Sequence, residues 1–294
     1  MMGVKLVVKG VPGWGMEPAM LDALRIPKVE RIVFERTPLV LAICQVRFRP
    51  VLSISDPASV ATLQRSLLER YPILDPFGEL ELKLAGLPAQ TQIESGTPAH
   101  RWKFTDTDDT WTVVLALDFI TIETRRYEAF EEFLQRVREV LLAFGESFPR
   151  TIGTRIGLRY INEIRTDDDQ WEDVVRAGLL GPLREPELGG QIDQAIQQIV
   201  LKYDDEQGIN FRHGVLEGTV VQPRPSDEPP ASKFYLLDYD AYREYPRPGS
   251  LLLDPNVVCR QLEIHHDAIE RLFRWSLTPE YTVSLGERRH VENT

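Results

Sequence analysis

From Leu39 to Arg49 the chain alternates, with Val40, Ala42, Cys44, Val46 and Phe48 on one side and Leu41, Ile43, Gln45, Arg47 and Arg49 on the other. A period of two is the mark of a strand with one face turned to a core. The pattern returns over Arg155 to Arg165, where Ile156, Leu158, Tyr160 and Ile164 fall together and Arg155, Arg159, Glu163 and Arg165 fall opposite. Strands that are apolar on one face and charged on the other belong in an antiparallel sheet covered on one side.

What covers such a sheet is legible in the helical stretches. Tyr127 to Phe144 carries one apolar stripe, Phe130, Phe133, Leu134, Val137, Leu141 and Phe144, with Glu128, Glu131 and Glu132 at the end where a helix dipole favours anions. Ser55 or Asp56 followed by Pro57 predicts the start of another helix, through Val60, Leu63, Leu67 and Tyr71, that stops before Pro72. Short strands are expected between Glu79 and Thr124, and a change of apolar phase near Asp118 calls for a bulge or tight turn.

The second half repeats this plan loosely, with strands at Ala195 to Tyr203, Ile209 to Glu217 and Lys233 to Tyr242. A helix within Asn256 to Leu277 follows, then a short one from Thr278-Pro279 to near Gly286. The expected class is α+β, with two lobes of antiparallel sheet and long helices packed on one face of each. Residues 1–33 form an N-terminal extension, 34–165 the first lobe and 166–294 the second, which includes an exposed Pro-rich loop at 222–232. A single sheet shared by both halves is the alternative.

Composition narrows the partners. With 34 basic and 45 acidic side chains the net charge is -11, which disfavours nucleic acid, since phosphate binding rests on clustered Lys and Arg. The two cysteines, Cys44 and Cys259, have no metal or redox spacing, and a reducing cytoplasm is expected. The apolar stretch Val4 to Val11 is broken by lysine and makes a poor signal peptide, and no run reaches the roughly twenty apolar residues of a membrane helix.

Few constellations suggest chemistry. His265-His266-Asp267 is a weak metal candidate, because a helix through it places His265 on the stripe of Val258, Leu262, Ile269 and Leu272 and turns His266 aside. The acidic clusters at 106–109, 167–169 and 204–206 lack the order of a calcium loop, and no phosphate-binding glycine loop or nucleophile elbow occurs. No metal and no cofactor are expected. The better candidate is the polar face formed by Gln45, Arg47, Arg155, Arg159 and Glu163, if the two strands that carry them are neighbours. Arginines lying over a sheet can grip carboxylates or phosphates; the bland reading is a set of surface ion pairs.

Several blocks carry a resemblance. Phe34-Glu35-Arg36-Thr37-Pro38-Leu39 leading into Val46-Arg47-Phe48, then Leu158-Arg159-Tyr160-Ile161-Asn162, Leu237-Asp238-Tyr239-Asp240, and His266-Asp267 with Phe273 and Thr278 resemble a sporadically distributed bacterial family of uncharacterised proteins. The resemblance implies an accessory gene of the kind found in defence or toxin–antitoxin systems. The expected function is a non-catalytic protein-interaction component, with a protein partner and homo-oligomerisation open. The alternative is an enzyme or sensor that binds an anionic small molecule on the arginine face. A deep cleft lined by arginines and aromatics would favour the sensor, a shallow apolar patch the interaction protein.

Overall fold

The structure is a computed structural model that describes residues 25–76, 101–166, 168–188, 191–221, 232–247, 249 and 251–288. The strands expected at 79–100 and most of the Pro-rich loop lie outside the described residues, as does most of the N-terminal extension.

Nine strands form one antiparallel sheet in the order β3-β4-β5-β6-β2-β7-β10-β9-β8. They are β2 (Leu39–Phe48), β3 (Ile73–Pro76), β4 (Trp102–Thr105), β5 (Trp111–Leu115), β6 (Phe119–Thr124), β7 (Gly153–Ile164), β8 (Ala195–Lys202), β9 (Gln207–Glu217) and β10 (Lys233–Glu244). A separate two-stranded pair joins β1 (Val33–Phe34) to β11 (Glu287–Arg288). The helices are α1 (Pro57–Leu67), α2 (Phe130–Ser147), the single turn α3 (Ala177–Leu180), α4 (Pro255–Ser276) and α5 (Pro279–Ser284). The fold is therefore mixed α+β.

The strand order mirrors itself about the seam between β2 and β7. Each half puts its first strand at the seam, its last strand beside that one and its earlier strands outward. β7 thus stands at the seam in the second half as β2 does in the first. Local alternation could not place that pairing, because it reports a strand's faces and not its neighbours. The chain between β7 and β8 is no bare linker either, since Trp171, Val174, Val175, Leu179 and Leu180 are all buried in it.

The mirror is incomplete at its ends. β4 is flanked outward by β3, whereas its counterpart β8 ends the sheet, with no further strand beside it among the described residues. β8 is eight residues long and Val200 on it is 51% exposed.

One apolar cluster joins the buried residues of α1, α2 and α4 to Ala42, Cys44, Val46, Ile156, Leu158 and Tyr160 of the seam strands. Phe133 of α2 is fully buried and stacks on Trp111 with ring centroids 5.9 Å apart. α2 begins three residues later than the periodicity predicts, because Ala129 stays extended and the Thr124 hydroxyl accepts the Arg126 N–H, 3.0 Å away. Tyr127 is thereby left free of the helix. The phase change near Asp118 is a tight turn, in which the Ala116 N–H bonds the Phe119 carbonyl at 2.9 Å. Val40 departs from the simple alternation: a register shift between Leu39 and Leu41 moves it to the cluster of Leu41, Ile43 and Ile161. None of the described helices is long and apolar enough to cross a membrane.

Candidate functional site

The two strands bearing the arginines are neighbours, with Arg47 opposite Arg155, Gln45 opposite Gly157 and Ile43 opposite Arg159. Strand alternation then puts Gln45, Arg47, Arg155, Arg159 and Glu163 on one face. Their polar groups are already engaged. Asp238 of β10, fully buried, accepts the Arg159 Nε and Nη2 at 2.8 and 2.9 Å and also takes Arg212 Nη2. Arg155 lies along its strand to Asp240, 2.9 and 3.0 Å away, over Gly157. A Cβ at residue 157 would come within 2.7 Å of the Arg155 guanidinium, which would have to shift to make room for it. Arg47 donates to Gln45 at 2.9 Å, and Glu163 accepts from Arg165, the Thr219 hydroxyl and the Val220 N–H.

The charge balance of this face is uneven. Burial alone would raise the pKa of Asp238, but Arg159 and Arg212 hold it below the usual carboxylate value. One carboxylate thus serves two guanidinium groups, and the buried Arg212 Nη1 has no hydrogen-bond partner. Burial, with Arg159 nearby, lowers the pKa of Arg212. Sequence reasoning missed Arg212, Asp238 and Asp240 as members of this face. The signal for Asp238 and Asp240 was the charged phase of β10, whose other phase is Tyr235, Leu237, Tyr239 and Ala241, and Arg212 alternates on β9 with Phe211 and His213.

His265, His266 and Asp267 are not brought together, because consecutive helix residues point about 100° apart. His265 is buried in the core, where desolvation and then the charge of Arg155 depress its pKa to about 3. Asp267 turns outward to Arg31, 2.8 Å away. His266 does not point aside as α4's stripe suggested: it is 8% exposed and stacks flat on Phe130, centroids 4.0 Å apart. Among the described residues no group of three or more His, Cys, Asp or Glu could hold a metal ion. Cys44 and Cys259 are both buried free thiols.

His266 marks a cleft on the helix side of the seam, enclosing about 690 Å³ with the part open to solvent included. Residues 31–39 form one wall, the start of α2 and α4 the others, and Tyr160 and Asn162 of β7 the floor. Tyr127 and Tyr160 share a hydrogen bond at 3.0 Å, and Tyr160 bonds the His266 Nδ1 at 3.1 Å. Burial raises the pKa of both tyrosines and lowers that of His266 to about 3, so all three stay neutral at ordinary pH. Such groups can orient a molecule by hydrogen bonding but are poorly matched to proton transfer near pH 7. The arginines of the opposite face do not line this cleft.

The blocks singled out in the sequence converge on the seam. Arg159 meets Asp238, Tyr160 meets His266, the Asn162 amide donates to the Leu237 carbonyl at 3.0 Å, and Phe34 packs edge-on against Phe273. Comparison of the chain with known protein families and with curated proteins found no match.

Proposed function

We propose that the protein is a non-catalytic interaction component of a bacterial accessory system, acting in the cytoplasm, and that it takes an extended segment of a protein partner along the outer edge of β8. The observation that carries this reading is the missing tenth strand: β3 covers β4 in the first half, and nothing among the described residues covers β8 in the second. An uncovered strand edge is a row of unpaired N–H and C=O groups, and strand addition is a common way of binding a peptide. β8 carries few of the features that blunt an edge, since Ala-Ile-Gln-Gln-Ile-Val-Leu-Lys has no proline and one charge, at its end. β3, by contrast, is four residues long and ends in Pro76.

A second copy of the chain fits the edge less well, because two molecules of net charge -11 repel. In this reading the long helices cover one face of each half, and the paired arginines of the other face stiffen the seam. The accessory role itself is supported by the resemblance alone. The anionic-ligand reading is favoured by one observation, the two guanidinium groups sharing Asp238 with Arg212 Nη1 unpaired.

One experiment separates the two. The protein is used to capture its partner from cells that carry it, and the complex is rebuilt from purified components with Val200→Lys and with the double variant Arg155→Gln/Arg159→Gln, melting curves being recorded for each. Loss of the complex with Val200→Lys alone supports strand addition. Loss with the arginine variant alone, in a protein that still folds, overturns it in favour of the arginine face. If the double variant does not fold, Arg47→Gln/Arg155→Gln replaces it, since it leaves Asp238 with both its partners. Stoichiometric self-association abolished by Val200→Lys would make the occupant a second copy.

A further inference from the structure

The cleft at the seam is independent of the β8 edge, and its chemistry is specific. Its lining combines apolar residues, Phe34, Phe130, Ile269 and Phe273 among them, with charged residues such as Arg31, Glu128 and Glu270 and with the Tyr127–Tyr160–His266 chain. Few convergent polar groups in an apolar cavity are the usual make-up of a small-molecule site.

The charges around the mouth are matched. Asp267 pairs with Arg31 at 2.8 Å, Glu270 with Arg274 at 2.9 Å and Glu128 with Arg126 at 2.8 Å. Glu131 also has a partner. A charged ligand would therefore have to break an existing pair or enter without a counterion, and a buried unpaired charge is costly. A neutral ligand meets no such obstacle. The hydroxyl chain suits one further partner. When His266 Nδ1 accepts, Tyr160 donates to it, Tyr127 donates to Tyr160, and the Tyr127 oxygen is left to accept. When His266 Nδ1 carries its proton, every bond reverses and Tyr127 is left to donate. The chain can thus meet a hydroxyl or a carbonyl by a tautomer change alone, with no change in net charge.

We propose that this cleft binds a small uncharged aromatic molecule bearing a hydroxyl or carbonyl group, its ring among the aromatic walls and its polar group on the Tyr127–Tyr160–His266 chain. Phe130 stacks on His266 at 4.0 Å and carries the Arg31 guanidinium 5.7 Å from its ring centre, so a ligand ring would meet its edge beside Phe273.

The test titrates the full chain with p-cresol, 4-hydroxybenzaldehyde, benzoate and benzylamine, by calorimetry and by ring-proton nuclear magnetic resonance. Saturable binding of the two neutral phenols is expected, with benzoate and benzylamine weaker by about tenfold or more. Tyr127→Phe should weaken the phenols about tenfold, the worth of one hydrogen bond of about 1.4 kcal/mol, while the melting transition stays cooperative and shifts only as far as the lost bond to Tyr160 requires. Tyr160→Phe should do at least as much, and Tyr127→Phe decides the matter if Tyr160→Phe does not fold. Val200→Lys should leave phenol binding intact, which keeps this site distinct from the strand edge. No saturable binding of either phenol, equal binding of benzoate, or binding indifferent to Tyr127→Phe overturns the proposal.

Discussion

Arg159 and Tyr160 are consecutive residues of β7, and they face two solutions to one problem, the burial of polar atoms. On the helix side, Tyr160 joins a chain of neutral groups in which each hydroxyl or ring nitrogen satisfies the next. On the other side, Arg159 joins an ionic cluster in which fully buried Asp238 serves two guanidinium groups. The neutral chain loses one bond when Tyr127 or His266 is removed and two when Tyr160 is, but no charge is stranded. The ionic cluster loses its only buried counter-charge when Asp238 is removed, and two cations are left facing each other. The difference teaches that density of polar contacts does not measure fragility; what matters is whether a deletion leaves an uncompensated charge.

The largest effects should come from removing the centre of either face. Asp238→Ala should destabilise by about 3–5 kcal/mol, as breaking a buried ion pair does. Phe133→Ala should cost about 3–5 kcal/mol through the cavity left under α2. Urea unfolding measures both, and an Asp238→Ala cost under about 1 kcal/mol would mean that water reaches the cluster and the contrast fails.

Acid comes next. His265 and His266 are neutral when folded, with pKa values near 3 against an ordinary 6.5, so unfolding takes up protons between those limits. Their contribution is complete above pH 6.5 and is lost as pH falls towards 3, by up to about 1.4 kcal/mol per unit for each histidine. Urea midpoints recorded from pH 7 to pH 4 should fall steadily, and His265→Gln/His266→Gln should reduce that fall to the part carried by His213, whose pKa burial lowers to about 4. A flat profile in the parent protein would show that both histidines ionise freely in the fold.

The smallest effects sharpen the comparison. Tyr160→Phe should cost about 1–3 kcal/mol, the net worth of its two hydrogen bonds, while Arg155→Gln should cost no more than about 1 kcal/mol because its pair with Asp240 is partly open to water. An Arg155→Gln penalty matching that of Asp238→Ala would extend the fragile cluster to the rim of the sheet.

How much of this could be read beforehand follows from the range of the forces involved. Side-chain alternation is local, so β2 and β7 and the faces of Arg155, Arg159 and Glu163 were legible from the residues themselves. The helical stripe of Phe130, Phe133, Val137 and Phe144 was legible for the same reason, though not its first turn, which a hydrogen bond to Thr124 and the reach of Tyr127 to Tyr160 displaced. The pairing of the arginines was not legible, because Asp238, Asp240 and Arg212 lie tens of residues away along the chain and meet them only across strands.

Periodicity and capping, set by neighbours a few residues apart, were enough to place the longer strands and helices and most of their apolar sides, but not short elements such as β3 or the side of Val40. Strand order and register depend on which distant surfaces find each other, and only the folded chain decided them: that both halves share one sheet, that β7 sits beside β2, that β8 is left at an edge, and that Tyr127, Tyr160 and His266 close one cleft. Those contacts join residues as far apart as Tyr160 and His266, 106 positions, a separation over which no local pattern carries information.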